Sequence, residues 1–127
     1  MTWTNLTTIH QLDDIDLQSK TESVLIFKDS TTCNISEVAH RRLKKSQSDN
    51  PAWASIRAYY LDLQQYRAIS NAISERYNVY HESPQVLLIK DGVCYFDCSH
   101  MDIDQGILLD QIQSEAENSK YALPSSI

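Results

Sequence analysis

Glycine is nearly missing from this 127-residue chain, which holds only Gly92 and Gly106. Two isolated glycines cannot build a phosphate-cradling loop, which needs several at fixed spacing. The nucleophile-elbow pattern of serine hydrolases is absent as well. Long apolar runs are also lacking: stretches such as 24–27 and 86–89 reach about four residues, against the ~20 that cross a bilayer. Residues 1–12 are polar and threonine-rich, with neither a basic nor an apolar leader region, so a cytoplasmic chain is expected. Positive charge is in short supply, with 11 Lys plus Arg against 17 Asp plus Glu. The resulting net charge of −6 disfavours nucleic acid and anionic membranes as partners. The basic block at 41–45 falls inside an amphipathic helix and reads as a solvated face. Cysteine is scarce and odd in number: Cys33, Cys94 and Cys98 form no CxxC. That excludes a disulfide framework, a dithiol redox motif and the usual structural-zinc spacing, so no metal site is expected.

What is present is a regular alternation of elements. Residues 23–28 (SVLIFK) form a short apolar, β-branched run of the kind that makes a buried strand. Ile35, Val38, Ala39 and Leu43 then repeat at helical spacing. Residues 55–63 read as another strand, and Tyr66, Ile69, Ala72, Ile73 and Tyr77 mark another helix. Residues 85–90 and 93–98 are strands joined by Asp91-Gly92, a dipeptide suited to a type I′ turn because both central residues need positive φ. Ile103, Ile107, Leu108 and Ile112 define a last helix, with Asp102 and Gln105 as a candidate capping box. A short helix over 12–19 and a weak strand near 4–9 complete the start.

The order β-α-β-α-β-α-β-β-α predicts an α/β fold with a mixed central sheet flanked by helices. It is the element order of thioredoxin-like folds. One domain spans 1–118, and the Ser, Asn and Pro124 content of 119–127 reads as a disordered tail.

Cys33 lies in Ser30-Thr31-Thr32-Cys33-Asn34-Ile35-Ser36, between a buried strand and a helix start. A thiol at that place faces unpaired N–H groups and the positive end of the helix dipole. Such sites bring a cysteine from ~8.5 down to between about 3.5 and 7.5. Ser36, one turn on, can donate its hydroxyl to the same sulfur. The spacing C-x-x-S leaves a nucleophile with no resolving thiol in its own motif. The alternative is a small residue that merely fills a helix start.

Pro84 opens the 85–90 strand, where a proline avoids the middle of the ladder. In thioredoxin-like folds a proline here is cis and packs against the nucleophile, and the preceding residue, Ser83, offers its backbone to an extended substrate. His81 is the histidine placed to approach the site, where an imidazolium would favour the thiolate. Glu82 reads as a solvated carboxylate, His100 as structural, and His40 and His10 as surface residues. Cys94 and Cys98, four apart in one strand, are expected on the same face. Either is a candidate resolving thiol if that face approaches Cys33, and otherwise both fill the core.

Three segments together carry a family resemblance: Lys28-Asp29-Ser30-Thr31-Thr32-Cys33 with Ile35-Ser36, then His81-Glu82-Ser83-Pro84-Gln85, then His100-Met101-Asp102-Ile103. The chain resembles the YtxJ-like monothiol bacilliredoxins over about residues 12–112. The resemblance implies Cys33 and Ser36 as catalytic residues, and Thr32, Asn34, His81, Ser83 and Pro84 as the substrate-contacting set. It implies no bound cofactor. Bacillithiol or a related low-molecular-weight thiol is the implied co-substrate, and thiol-capped client proteins are the implied partners. The family pattern is T-C-P-I-S, and Asn34 stands where proline is usual, which restores a backbone N–H. Two function classes follow: a thiol transferase acting through Cys33, or a non-catalytic adaptor or redox sensor that is only modified there.

Overall fold

The computed structural model describes residues 2–30 and 34–121, and the side chains of residues 2, 34–37, 46–48 and 119–121 are left aside. Five strands and four helices follow in order: β1 (Thr2–Asn5), α1 (Gln11–Gln18), β2 (Val24–Asp29), α2 (Asn34–Asp49), β3 (Arg57–Asp62), α3 (Arg67–Tyr77), β4 (Gln85–Lys90), β5 (Val93–Ser99) and α4 (Gln105–Tyr121). Short 3-10 helices at Pro51–Ser55 and His100–Asp102 precede β3 and α4. The sheet order is β1-β3-β2-β4-β5, with β1, β3 and β2 parallel and β4 and β5 antiparallel additions. This is the mixed α/β sandwich that the element order predicts.

The middle strands lack polar alternation because both of their faces are covered. On one face Val24, Ile26, Leu87 and Ile89 pack under Leu12 and Ile15 of α1 and Ile69 and Ile73 of α3. On the other, Leu25, Phe27, Val86 and Leu88 meet Ala39 and Leu43 of α2, Leu108 of α4 and the buried Trp53. Full burial of each such side chain contributes roughly 1.5–3 kcal/mol. The Asp91-Gly92 turn has φ of 54° and 71°, the two positive values that a type I′ turn requires.

Two local expectations change. Asp104, not Asp102, caps α4: its Oδ1 accepts the Ile107 N–H at 3.0 Å, which leaves the Asp102/Gln105 box unformed. The helix then continues through Tyr121, past the point at which the sequence suggests a tail. Residues 122–127 lie outside the described set.

Candidate functional site

Register brings three connections to one end of the sheet. Lys28, near the end of β2, stands opposite Gln85, the first residue of β4, and Gln85 stands opposite Ser99, the last of β5. The end of β2, the 81–84 loop and the 3-10 turn after β5 therefore share that end. In open α/β sheets ligands gather at the carboxyl ends of the parallel strands, here β2 and β3. Thr32 and Cys33 lie outside the described residues. Asn34, the next residue in sequence, opens α2, and Ser36 falls in its first turn.

The 81–84 loop is tied down from several sides. The Ser83–Pro84 peptide bond is cis, and Pro84 is buried. Gln85, 1% exposed, donates its amide to the Tyr80 carbonyl at 2.8 Å and accepts the Glu82 N–H at 3.4 Å. His100, at a positive φ of 55°, donates its backbone N–H to the Pro84 carbonyl at 3.0 Å. Its Nε2 lies 2.8 Å from Glu82 Oε2. Glu82 is thus a loop tether as well as a solvated carboxylate, and His100 has the structural role expected of it.

His81 departs from expectation. Lys28, fully buried at the end of β2, points its ammonium at His81 Nδ1 at 3.0 Å, and Ser70 Oγ lies 3.3 Å from the same nitrogen. A ring nitrogen that accepts from an ammonium cannot also carry a proton, so the hydrogen resides on Nε2. Desolvation, then the charges of Lys28 and Arg67, lower the His81 pKa from its ordinary 6.5. The imidazolium expected to favour a thiolate is therefore disfavoured at neutral pH. Burial likewise pushes the Lys28 amine down to about 8.

A second polar group sits beneath α2 on the opposite face of the sheet. Asp29 is 4% exposed, and its Oδ2 accepts the Tyr60 hydroxyl at 2.7 Å. Its Oδ1 has no hydrogen-bond partner among the described residues. His40 stacks on Tyr60 with ring centres 4.9 Å apart and planes at 23°, and its Nδ1 is 3.7 Å from Asp29 Oδ2. Desolvation and Lys44 hold the His40 pKa below 6.5 despite that carboxylate, so the contact is not a charged pair at neutral pH. Burial and Asp29 raise the Tyr60 pKa, which keeps the phenol a donor. His40 is thus half-buried and packed rather than a surface residue. Nothing in the sequence marked the Asp29–Tyr60–His40 cluster except a carboxylate at the end of an apolar run.

Cys94 and Cys98 do not share a face. Register runs Leu88↔Phe96 and then Ile89↔Cys94, so Tyr95 is an extra residue in a β-bulge. The bulge inverts the alternation: Cys94 packs with the α1/α3 core and Cys98 with the α2/α4 core. Burial, then the Asp97 charge, pushes the thiols up, Cys94 to about 11 and Cys98 to about 12. Such groups are almost entirely protonated at neutral pH and make poor nucleophiles.

Residues 4–108 match the family described as monothiol bacilliredoxin BrxC. The chain belongs to the monothiol bacilliredoxin family. Among solved structures it resembles a candidate oxidoreductase with a thioredoxin fold, at 30% identity and a TM-score of 0.73, covering 91% of this chain and 93% of that one. Thioredoxin from Malassezia sympodialis (Mala s 13) superposes with a TM-score of 0.69 at 16% identity, covering 91% of each chain. Thioredoxin from Fasciola hepatica gives 0.67 at 14%, covering 87% of this chain and 96% of that one. These last two likenesses establish the thioredoxin fold. Family and fold together give this bacilliredoxin a role in thiol–disulfide redox chemistry.

Proposed function

We propose that Cys33 is the working nucleophile of a thiol transferase that takes bacillithiol, or a related low-molecular-weight thiol, from mixed disulfides on client proteins. The observation that carries this reading is one of elimination within a monothiol family. Cys94 and Cys98 are held on opposite faces of the sheet with raised pKa values, and Cys33 alone precedes a helix start.

The exchange balances with a second molecule of the small thiol as the reductant. The Cys33 thiolate attacks the small-thiol sulfur, a new S–S bond forms, and the client sulfur leaves as thiolate with the electron pair of the broken bond. A second small-thiol anion then attacks the adduct, forms the small-molecule disulfide and releases the Cys33 thiolate. One attack per client is enough, which suits a C-x-x-S motif. Ser36 is the proposed donor to that sulfur. Thr32, Asn34, His81, Ser83 and Pro84 are the proposed substrate contacts, with neutral His81 offering its Nε2 hydrogen rather than a charge. A cytoplasmic setting, where thiols stay reduced, fits this cycle, and no described helix is long and apolar enough to cross a membrane.

The test is release of bacillithiol from a capped model protein, followed by intact mass. The wild type and Cys94→Ser/Cys98→Ser are expected to release it, and Cys33→Ser to leave the cap in place. Loss of release in the double variant with retention in Cys33→Ser would overturn the assignment.

A further inference from the structure

Among the described residues β5 closes the sheet and has β4 on one side only, so half of its backbone polar groups face away from the ladder. Which half follows from a single bond. The His100 N–H donates to the Pro84 carbonyl, and 100 continues the register that sets Ser99 against Gln85 and Cys98 against Val86. Antiparallel bonding alternates residue by residue. Cys98 and Phe96 therefore bond inward, and Asp97 and Ser99 present N–H and C=O outward.

Both of those residues line a groove of about 570 Å³ between the β5 edge and the start of α4. Its apolar part includes Met101 and Ile107, large side chains left 65% and 48% exposed. Its rim carries Asp97, Asp102 and Asp104, all exposed, and among the described residues no lysine or arginine lines it. The three carboxylates act on one place: after burial, they are the causes that raise the Cys98 thiol. The groove begins beside the candidate site, because Ser99 faces Gln85, the residue after Pro84.

We propose that this groove docks an extended, basic segment of a client protein, added as a strand to β5, with Lys or Arg side chains against Asp97 and Asp102 and apolar ones on Met101 and Ile107. Calling the occupant a client rests on the function proposed above; the groove's choice of a basic strand does not. Charge complementarity selects this occupant. A second copy of the chain would bring the same three carboxylates to the interface, and like charges so placed repel. A metal ion is a poorer fit, since among the described residues no three His, Cys, Asp or Glu groups converge closely enough to hold one. Backbone bonds from an added strand supply affinity, and the rim charges supply preference.

The probe is a fluorescein-labelled peptide of about ten residues, roughly two strand lengths, alternating Lys with Val or Thr. A matched peptide carries Glu in place of Lys. Binding is followed by anisotropy, and the amides by proton–nitrogen correlation spectra of the full chain. The Lys peptide is expected to bind, to shift the Asp97 and Ser99 amides, and to bind about fivefold more weakly to Asp97→Asn/Asp102→Asn, the effect of losing two exposed charge pairs. Asp104 is left in place because it caps α4. Cys33→Ser is expected to bind the peptide unchanged, so failure of docking and failure of thiol transfer have separate readouts. Equal binding of the Glu peptide, undisturbed amides at 97 and 99, or a β5-paired dimer in sedimentation would each overturn the proposal.

Discussion

Lys28 is the residue whose behaviour departs furthest from its type. A lysine at the end of SVLIFK reads as a strand's polar terminus, yet it is fully buried, and among the described residues one imidazole nitrogen is its hydrogen-bond partner. Its folded pKa near 8 lies below the unfolded 10.5, so between those values the unfolded chain binds more protons and stability rises with pH. The difference in unfolding free energy between wild type and Lys28→Met, measured in urea, should shift in favour of the wild type by up to about 3 kcal/mol from pH 8 to pH 10.5. A difference that stays flat over that range would place the ammonium in water. Tyr60→Phe makes a complementary case. It leaves the buried Asp29 carboxylate without its phenol donor and should cost about 1–3 kcal/mol in the same assay. Neither pairing was legible in the sequence, because Lys28–His81 and Asp29–Tyr60 are long-range contacts that only the sheet register creates.

Elements were far more legible than their details. An apolar, β-branched run announced β2 as a buried strand, and i, i+3, i+4 spacing announced α2 and α3. Asp91-Gly92 announced the hairpin. What escaped were features with no distinct local chemistry. The Tyr95 bulge carries neither Gly nor Pro, so simple alternation placed Cys94 and Cys98 on one face when they occupy two. The 3-10 helix at Pro51–Ser55 is too short for a periodic signal, although it seats the fully buried Trp53. Trp53→Ala should therefore destabilise by about 3–5 kcal/mol, on the scale of emptying a core aromatic site. The α4 cap is a two-residue shift from expectation: Asp104→Ala should cost about 1 kcal/mol, and Asp102→Ala close to nothing. Thermal or urea melts of the two variants side by side decide between the caps.

At the scale of the whole molecule, the sheet gathers a helix start, a tethered proline loop and the β5–α4 connection at one end. Two cysteines are built into the flanking cores, and the third stands before α2. The motifs quoted from the sequence located all three connections. The buried polar groups on either side of the sheet, Lys28–His81 and Asp29–Tyr60, emerged only from the folded arrangement. The account turns on a division of labour among three thiols, and the direct test is the pH dependence of alkylation at each cysteine, resolved by peptide mass spectrometry. The Cys33 rate should level off near or below neutral pH, with Cys94 and Cys98 slower by a hundredfold or more at pH 7.5, as about three or more pKa units between them imply. A Cys33 that titrates like an ordinary thiol near ~8.5, or a β5 cysteine that reacts as fast, would contradict it.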